Sequence, residues 1–255
     1  MKYAVMSDVH ANPAALEAAL KDAHVQGCGR FVMLGDTTGY GYDVKTAIKL
    51  VRSQFDVVLM GNHDSACLGR EPAWETEANP HYHQDLRQSH SLSERETAWL
   101  GKRPYLHFEA GAAFAHGTYI RPEEWGYIID SADARRNFCA RPERLMFCGH
   151  THAATVWTFS PKEVCEEKKL FDHPVIKAES KGFKLKKGFR YIVNVGSVGY
   201  PRHDLCSTYV IWDDEADRMT FRRLPFDFKG YIQAMMVQNV DLPGWLLELL
   251  IAIAQ

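Results

Sequence analysis

Tyr3-Ala4-Val5-Met6-Ser7-Asp8-Val9-His10-Ala11-Asn12-Pro13 is the stretch from which the fold reads. Four apolar residues ended by Ser7-Asp8 make a short buried strand. Asn12-Pro13 then offers an N-cap and a proline at the first helical position. Ala14, Leu16, Ala18, Ala19, Leu20 and Ala23 carry a helix onward to Gly27. The unit recurs downstream. Phe31 to Leu34 is a second strand, Asp43 caps a helix bearing Val44, Ala47, Ile48, Leu50 and Val51, and Val57 to Met60 is a third strand. This βαβαβ order predicts a parallel sheet covered by helices.

Residues 65–105 break the pattern. They are polar, rich in His, Glu and Arg, and Ser93 with Glu96 forms a capping box before Trp99 and Leu100. A helical excursion over one rim of the sheet is expected there. Strand character returns at Ala112 to Ala115, Leu145 to Cys148, Thr155 to Phe159, Arg190 to Val195, Thr208 to Trp212 and Arg218 to Leu224. With few helices between them, these suggest a second, largely antiparallel sheet packed on the first. The expected class is α/β, two packed mixed β-sheets flanked by helices, within a single domain spanning 1–255. Residues 160–188 carry many lysines among glutamates and read as a solvated hairpin, or else as a substrate or partner surface. Asp241-Leu242-Pro243 starts a C-terminal helix in which Trp245, Leu246, Leu247, Leu249, Leu250, Ile251 and Ile253 cover nearly the whole surface. Such a helix must be buried, in its own domain or in a partner subunit, which makes a homo-oligomer one expectation.

The totals narrow the function classes. The formal charge is −2, so no whole-molecule attraction for nucleic acid or anionic membrane is expected. Six cysteines are scattered with no C-x-x-C pair, as in a reduced cytoplasmic protein. The first residues enter a strand directly, without a signal-peptide apolar region. No apolar run reaches the ~18 residues of a membrane span.

The chemistry-bearing residues stand at strand ends. Asp8 and His10 follow the first strand and Gly35-Asp36 the second; Gly61-Asn62-His63-Asp64 follows the third. His116-Gly117 and Gly149-His150-Thr151-His152 follow two later strands. Singly, each has a plain structural explanation: a turn-capping Asp, a core histidine, a turn-forming Asn. Together, five strand ends each deliver a carboxylate, amide or imidazole to the edge where open α/β sheets form their sites. His81 and His83 make an H-x-H in what reads as a polar surface loop.

In this order, D-x-H, G-D, G-N-H-D, H-G and G-H-T-H resemble the calcineurin-like metallophosphoesterases. The likeness covers about the first 215 residues. Asn194-Val195-Gly196-Ser197-Val198-Gly199 is similar to the N-x-G-S-x-G segment of its small bacterial and archaeal phosphodiesterases. The resemblance implies two divalent cations, with Asp36 between them, Asp8, His10 and His152 completing one site, and Asn62, His116 and His150 the other. Carboxylate and imidazole shells suit Mn, foremost, or Fe, Ni or Zn, better than Ca. A hydroxide between the cations is the implied nucleophile for a small phosphate-ester substrate. His63 is the expected general acid, oriented by Asp64. Arg202 and His203, just after N-x-G-S-x-G, are substrate-binding candidates.

The sequence departs from the phosphatase branches at the arginines. Protein Ser/Thr phosphatases and symmetric dinucleoside tetraphosphate hydrolases resemble G-D-x-V-x-R-G after the second strand, whereas this chain reads Gly35-Asp36-Thr37-Thr38-Gly39-Tyr40-Gly41. Met60 stands where protein phosphatases place Arg before G-N-H. Without that bidentate grip on a dianion, a phosphodiester is the expected substrate. A monoesterase, a dinucleoside polyphosphate hydrolase, a nuclease and a non-catalytic binding module are the alternatives.

Overall fold

A computed structural model describes residues 1–70, 80–160, 165–169, 181–202, 206–240, 242 and 244, with only the backbone of 80–82 and 165–169. In β1 (Lys2–Met6), Tyr3 and Val5 face one apolar cluster while Ala4 and Met6 face another, the period of two of an extended chain. Helix α1 (Pro13–Val25) begins where the Asn12 side chain accepts the Ala15 N–H at 3.2 Å. Next come β2 (Arg30–Met33), α2 (Val44–Gln54) capped by Asp43, and β3 (Val57–Val58). The excursion holds α3 (Asn62–Cys67), α4 (Pro80–Ser91) and α5 (Glu94–Leu100), the last entered through the Ser93–Glu96 capping box. After it lie β4 (Leu106–Glu109), β5 (Ala112–Ala115), α6 (Ser131–Ala140), β6 (Leu145–Cys148), β7 (Thr155–Phe159), β8 (Cys165–Lys169), β9 (Lys181–Lys184), β10 (Arg190–Asn194), β11 (Cys206–Asp213), β12 (Arg218–Pro225) and α7 (Phe228–Val237).

Among the described residues the strands form two mixed sheets. One runs β3-β2-β1-β11-β12-β9, parallel from β3 to β1 and antiparallel beyond. The other runs β4-β5-β6-β10-β7-β8, with β5, β6 and β10 parallel at its centre. The facing sides share one core that includes Val5, Val32, Phe114, Phe147, Val193 and Trp212. The outer face of the first sheet is covered by α1 and α2, and that of the second packs with Phe138 of α6.

Three expectations are corrected. Strands β11 and β12 extend the first sheet, because β11 pairs with β1 in register from Lys2↔Asp213 to Val5↔Val210. The second sheet keeps the expected antiparallel pairings at β4-β5, β10-β7 and β7-β8 but has a parallel centre, β5-β6-β10. Strands β8 and β9 do not pair with each other: β8 lies beside β7 and β9 beside β12, so 160–188 is no hairpin but supplies an edge to each sheet. His83 sits exposed on α4 rather than in a loop. The side chain of His81, together with His203 and the 241–255 helix apart from Leu242 and Gly244, lies outside the described residues. Leu242 packs half-buried against a cluster containing Tyr40, Tyr200 and Tyr231. No described helix is long and apolar enough to cross a membrane.

Candidate active site

The parallel strands of both sheets end at one place. From the first sheet, β1 delivers Asp8 and His10, β2 delivers Asp36 and β3 delivers Asn62; from the second, β5 delivers His116 and β6 delivers His150 and His152. All seven are buried. Asp8, His10, Asp36, His150 and His152 stand at φ of 57°, 47°, 54°, 68° and 61°. Left-handed backbone at non-glycine residues costs of the order of 1 kcal/mol or more each and persists where surroundings over-determine it. Hydrogen bonds supply that here: His10 N donates to the Asp36 carbonyl at 2.9 Å, and Asp8 N to the Gly35 carbonyl at 3.1 Å.

Two glycines matter through space rather than through turns. A Cβ on Gly61 would collide with the Asp36 carboxylate, and one on Gly149 with Asp8 and Ser7. Their absence of side chain lets the carboxylates sit against backbone, where His63 N donates to Asp36 Oδ1 at 2.9 Å and His150 N to Asp8 Oδ2 at 3.0 Å.

The tautomers follow from the second layer of contacts. His10 Nδ1–H donates to the Thr38 carbonyl at 2.9 Å, and His152 Nδ1–H to the Tyr200 carbonyl at 2.6 Å. Both rings therefore present a bare Nε2, and those two atoms lie 3.1 Å apart. Asp8 Oδ1 stands 3.2 Å from His152 Nε2, with no hydrogen-bond partner. Three acceptors converge without a donor, an arrangement that a cation satisfies. On the other side, His150 donates Nε2–H to the Trp125 carbonyl at 2.9 Å, which leaves Nδ1 for a ligand. Asp36, His116 and His150 hold ligand atoms within 4.8 Å of one another, as do Asp8, His10 and His152. Asn62 Oδ1 lies 3.1 Å from His116 Nε2. Asp36 also groups with His10 and His63, so it stands between the two sets. The donor atoms of these groups are of the kind that binds divalent metal.

Burial pushes His10 down to about 3, with Asp8 and Asp36 too weak to reverse it. Burial and then the neighbouring His116 do the same to His150, also to about 3. Both are neutral at pH 7, the form that ligates metal. Burial also acts against the charged form of His116, but the carboxylates of Asp36, foremost, Asp8 and Asp64 together outweigh it and raise this ring to about 9.

His63 is buried beside these groups, and its Nδ1 meets Asp85 Oδ2 at 2.9 Å. Asp64 does not orient His63, contrary to expectation. Its Oδ1 accepts from Thr38 N at 3.0 Å and from the Thr38 hydroxyl at 3.1 Å, and its Oδ2 accepts from Gly61 N at 3.1 Å. Asp64 therefore ties the Asp36 loop to the Asn62 turn, with both its oxygens occupied there. Burial would lower His63, but the charge of Asp85, with Tyr40 and Asp36, raises it well above its ordinary value. Helix α4 brings Asp85 in with Gln84 and Gln88, whose amides donate to the Gly41 carbonyl at 2.7 and 3.1 Å. Nothing in the sequence distinguishes these polar residues from a solvated helix face.

The N-x-G-S-x-G segment proves to be a brace. Asn194 donates to the Gly149 carbonyl at 2.6 Å, Ser197 Oγ to the Asp8 carbonyl at 2.9 Å, and Tyr200 supplies the carbonyl that holds His152. Arg202 extends into the exposed rim and donates to the Tyr40 hydroxyl at 2.7 Å. Sequence reasoning missed Asp85, Tyr40, Trp125 and Tyr127. Of these only Tyr40 stood near a motif, in the loop opened by Gly35-Asp36.

Comparison with known proteins agrees with this geometry. Residues 1–217 match the model of the calcineurin-like phosphoesterase superfamily domain. A metallophosphoesterase from Sphaerobacter thermophilus has 31% identity and a TM-score of 0.80, with 96% of each chain covered. The uncharacterised protein MJ0912 of Methanocaldococcus jannaschii is 27% identical over 259 residues, which is 96% of this chain and 95% of that one. A hypothetical protein from Pyrococcus horikoshii shares the fold, with a TM-score of 0.70 at 15% identity over 98% and 97% of the two chains.

Proposed function

The chain belongs to the calcineurin-like phosphoesterase superfamily of metal-dependent phosphoesterases, and from that premise we propose that it hydrolyses a phosphodiester with two divalent cations, Mn foremost and Fe, Ni or Zn as alternatives. Asp8, His10 and His152 hold one ion, Asn62, His116 and His150 the other, and Asp36 lies between. The observation that carries this reading is the convergence of Asp8 Oδ1 and two bare Nε2 atoms with no donor among them. When bound, such cations supply Lewis acidity, which makes water nucleophilic near neutral pH and neutralises charge on phosphoryl oxygens.

The chain's own groups complete the chemistry. His63, with Nδ1 engaged by Asp85, offers its Nε2 proton to the leaving alkoxide. Asp85 holds the imidazolium charge, and Asp64 fixes the loop spacing. Arg202 binds a phosphoryl oxygen at the rim. Diester preference is supported by Tyr40 and Met60 in the places where related phosphatases carry gripping arginines. The scattered cysteines, without a C-x-x-C pair, support a reducing cytoplasm as the chain's compartment.

The test compares bis(4-nitrophenyl) phosphate with 4-nitrophenyl phosphate in Mn and in Ni. The diester should show the higher kcat/KM. A monoester preference above about tenfold, or ~1.4 kcal/mol of transition-state binding, would overturn the diester reading.

A further inference from the structure

The loop between β5 and α6 does more than brace the site. Trp125, at φ 57°, turns its carbonyl onto His150 Nε2. Two residues later, the Tyr127 ring lies flat on the His150 ring, with centroids 4.0 Å apart and planes at 9°. One face of Tyr127 is thereby covered, yet the residue keeps 49% of its surface exposed. A second aromatic wall, of Tyr40 and Tyr200, is buried. Tyr40 stacks on Tyr200 at 4.3 Å and lies 4.5 Å from both His10 and His63. Arg202 caps that wall, its guanidinium carbon 5.4 Å from the Tyr40 ring centroid and 5.8 Å from that of Tyr200. Burial raises the Tyr127 hydroxyl, and the charges of Arg202, Asp36 and His63 are felt there, so these groups share one neighbourhood.

We propose that Tyr127 is a specificity-determining residue: its open face stacks on a planar aromatic arm of the substrate while Arg202 holds a phosphoryl oxygen. The substrate class is then a phosphodiester with a nucleoside-like ester arm. This rests on the diester reading above. A residue needed only to cover His150 has no use for so large an exposed surface. Base–aromatic stacking is tolerant of base identity, so the site selects for an aromatic arm rather than for one base.

The test uses two diesters with the same leaving group, thymidine 5′-(4-nitrophenyl) phosphate and methyl 4-nitrophenyl phosphate, on the Mn-loaded protein. The thymidine ester should have a KM about tenfold lower. Tyr127→Ala should collapse the KM ratio of the two esters toward one, and Tyr127→Phe should keep it. Metal content is measured on each variant. Equal KM values in the natural protein, an unchanged ratio in Tyr127→Ala, or loss of metal with both esters slowed alike would overturn the stacking role. Calorimetric binding of thymidine 5′-monophosphate against methyl phosphate separates this from failure of the diester reading. If only 4-nitrophenyl phosphate is cleaved, tighter nucleotide binding that Tyr127→Ala abolishes still upholds the stack, and equal binding overturns it.

Discussion

With Nδ1 held 2.9 Å from Asp85, the His63 ring acts through Nε2 alone. Asp85 raises the ring well above its ordinary range against the pull of burial, so it keeps its proton to a higher pH than a free imidazole does. Asp85→Asn removes that charge. The basic limb of the kcat profile should move to lower pH, since a weaker hold on the proton loses the acid form sooner as pH rises. Esters with alkoxide leaving groups should slow by about 10²-fold and nitrophenyl esters much less. Unchanged metal content and an unshifted limb would deny Asp85 this role. His116 makes a second case. The carboxylates of Asp36, foremost, Asp8 and Asp64 raise it to about 9 against burial, so a cation taking its nitrogen displaces a proton below that pH. Calorimetry in buffers of different ionisation heat should show proton release on Mn binding at pH 7, and affinity that grows as pH rises toward 9. Asp36→Asn should lose both the proton release and the metal. The ligand residues were legible because each stands beside a turn at a strand end. Asp85 was not, since its partner lies across a helix rather than along the chain.

Elements read well where the pattern was local. The Asn12 and Asp43 caps and the Ser93–Glu96 box stand where their residue types put them. Strand pairing was not local: β1 pairs with β11 across some two hundred residues, and no alternation of apolar side chains specifies that neighbour. Lysine-rich β9 hid among polar residues because an edge strand with one exposed flank needs few apolar ones. One inter-element tie is testable by itself. Asp22 on α1 accepts from the Tyr209 hydroxyl at 2.6 Å and from two arms of Arg222 at 2.7 and 2.8 Å, which pins the helix to β11 and β12. Burial opposes its charge, yet the Arg222 and Tyr209 bonds hold its carboxyl below the usual range. The stabilisation is complete above the ordinary carboxylate range and is lost as pH falls through the depressed folded value. Asp22→Ala should cost about 1–3 kcal/mol in urea denaturation at pH 7, and clearly less at pH 3. An equal loss at both pH values would mean that packing, not charge, makes the tie.

At the scale of the molecule, strand ends of both sheets supply the candidate metal-binding residues, so metal bound there as proposed would tie the sheets together. A cation at a hundred times its dissociation constant adds about 2.7 kcal/mol, or roughly 5–10 °C in Tm for a chain of this size. Thermal melts with Mn and with a chelator should differ by at least that much, and coincident melts would show that the sheets do not depend on the ions. Deleting residues 243–255 should expose apolar surface beside the cluster that Leu242 joins, and bring aggregation or a changed mass in solution. A soluble deletion with unchanged mass and melting would make the tail dispensable. The pairing of β1 with β11 also has a consequence for birth on the ribosome. At 5–20 residues per second, about 10–40 s separate the emergence of these two strands. Throughout that interval β1 has only β2 to lie against, and one flank of the nascent sheet stays open to chance partners. Asp8 and His10 emerge early, but their third ligand, His152, arrives more than half the chain later. The growing polypeptide is thus a poor trap for stray cations until His152 and the Tyr200 carbonyl that holds it have both emerged.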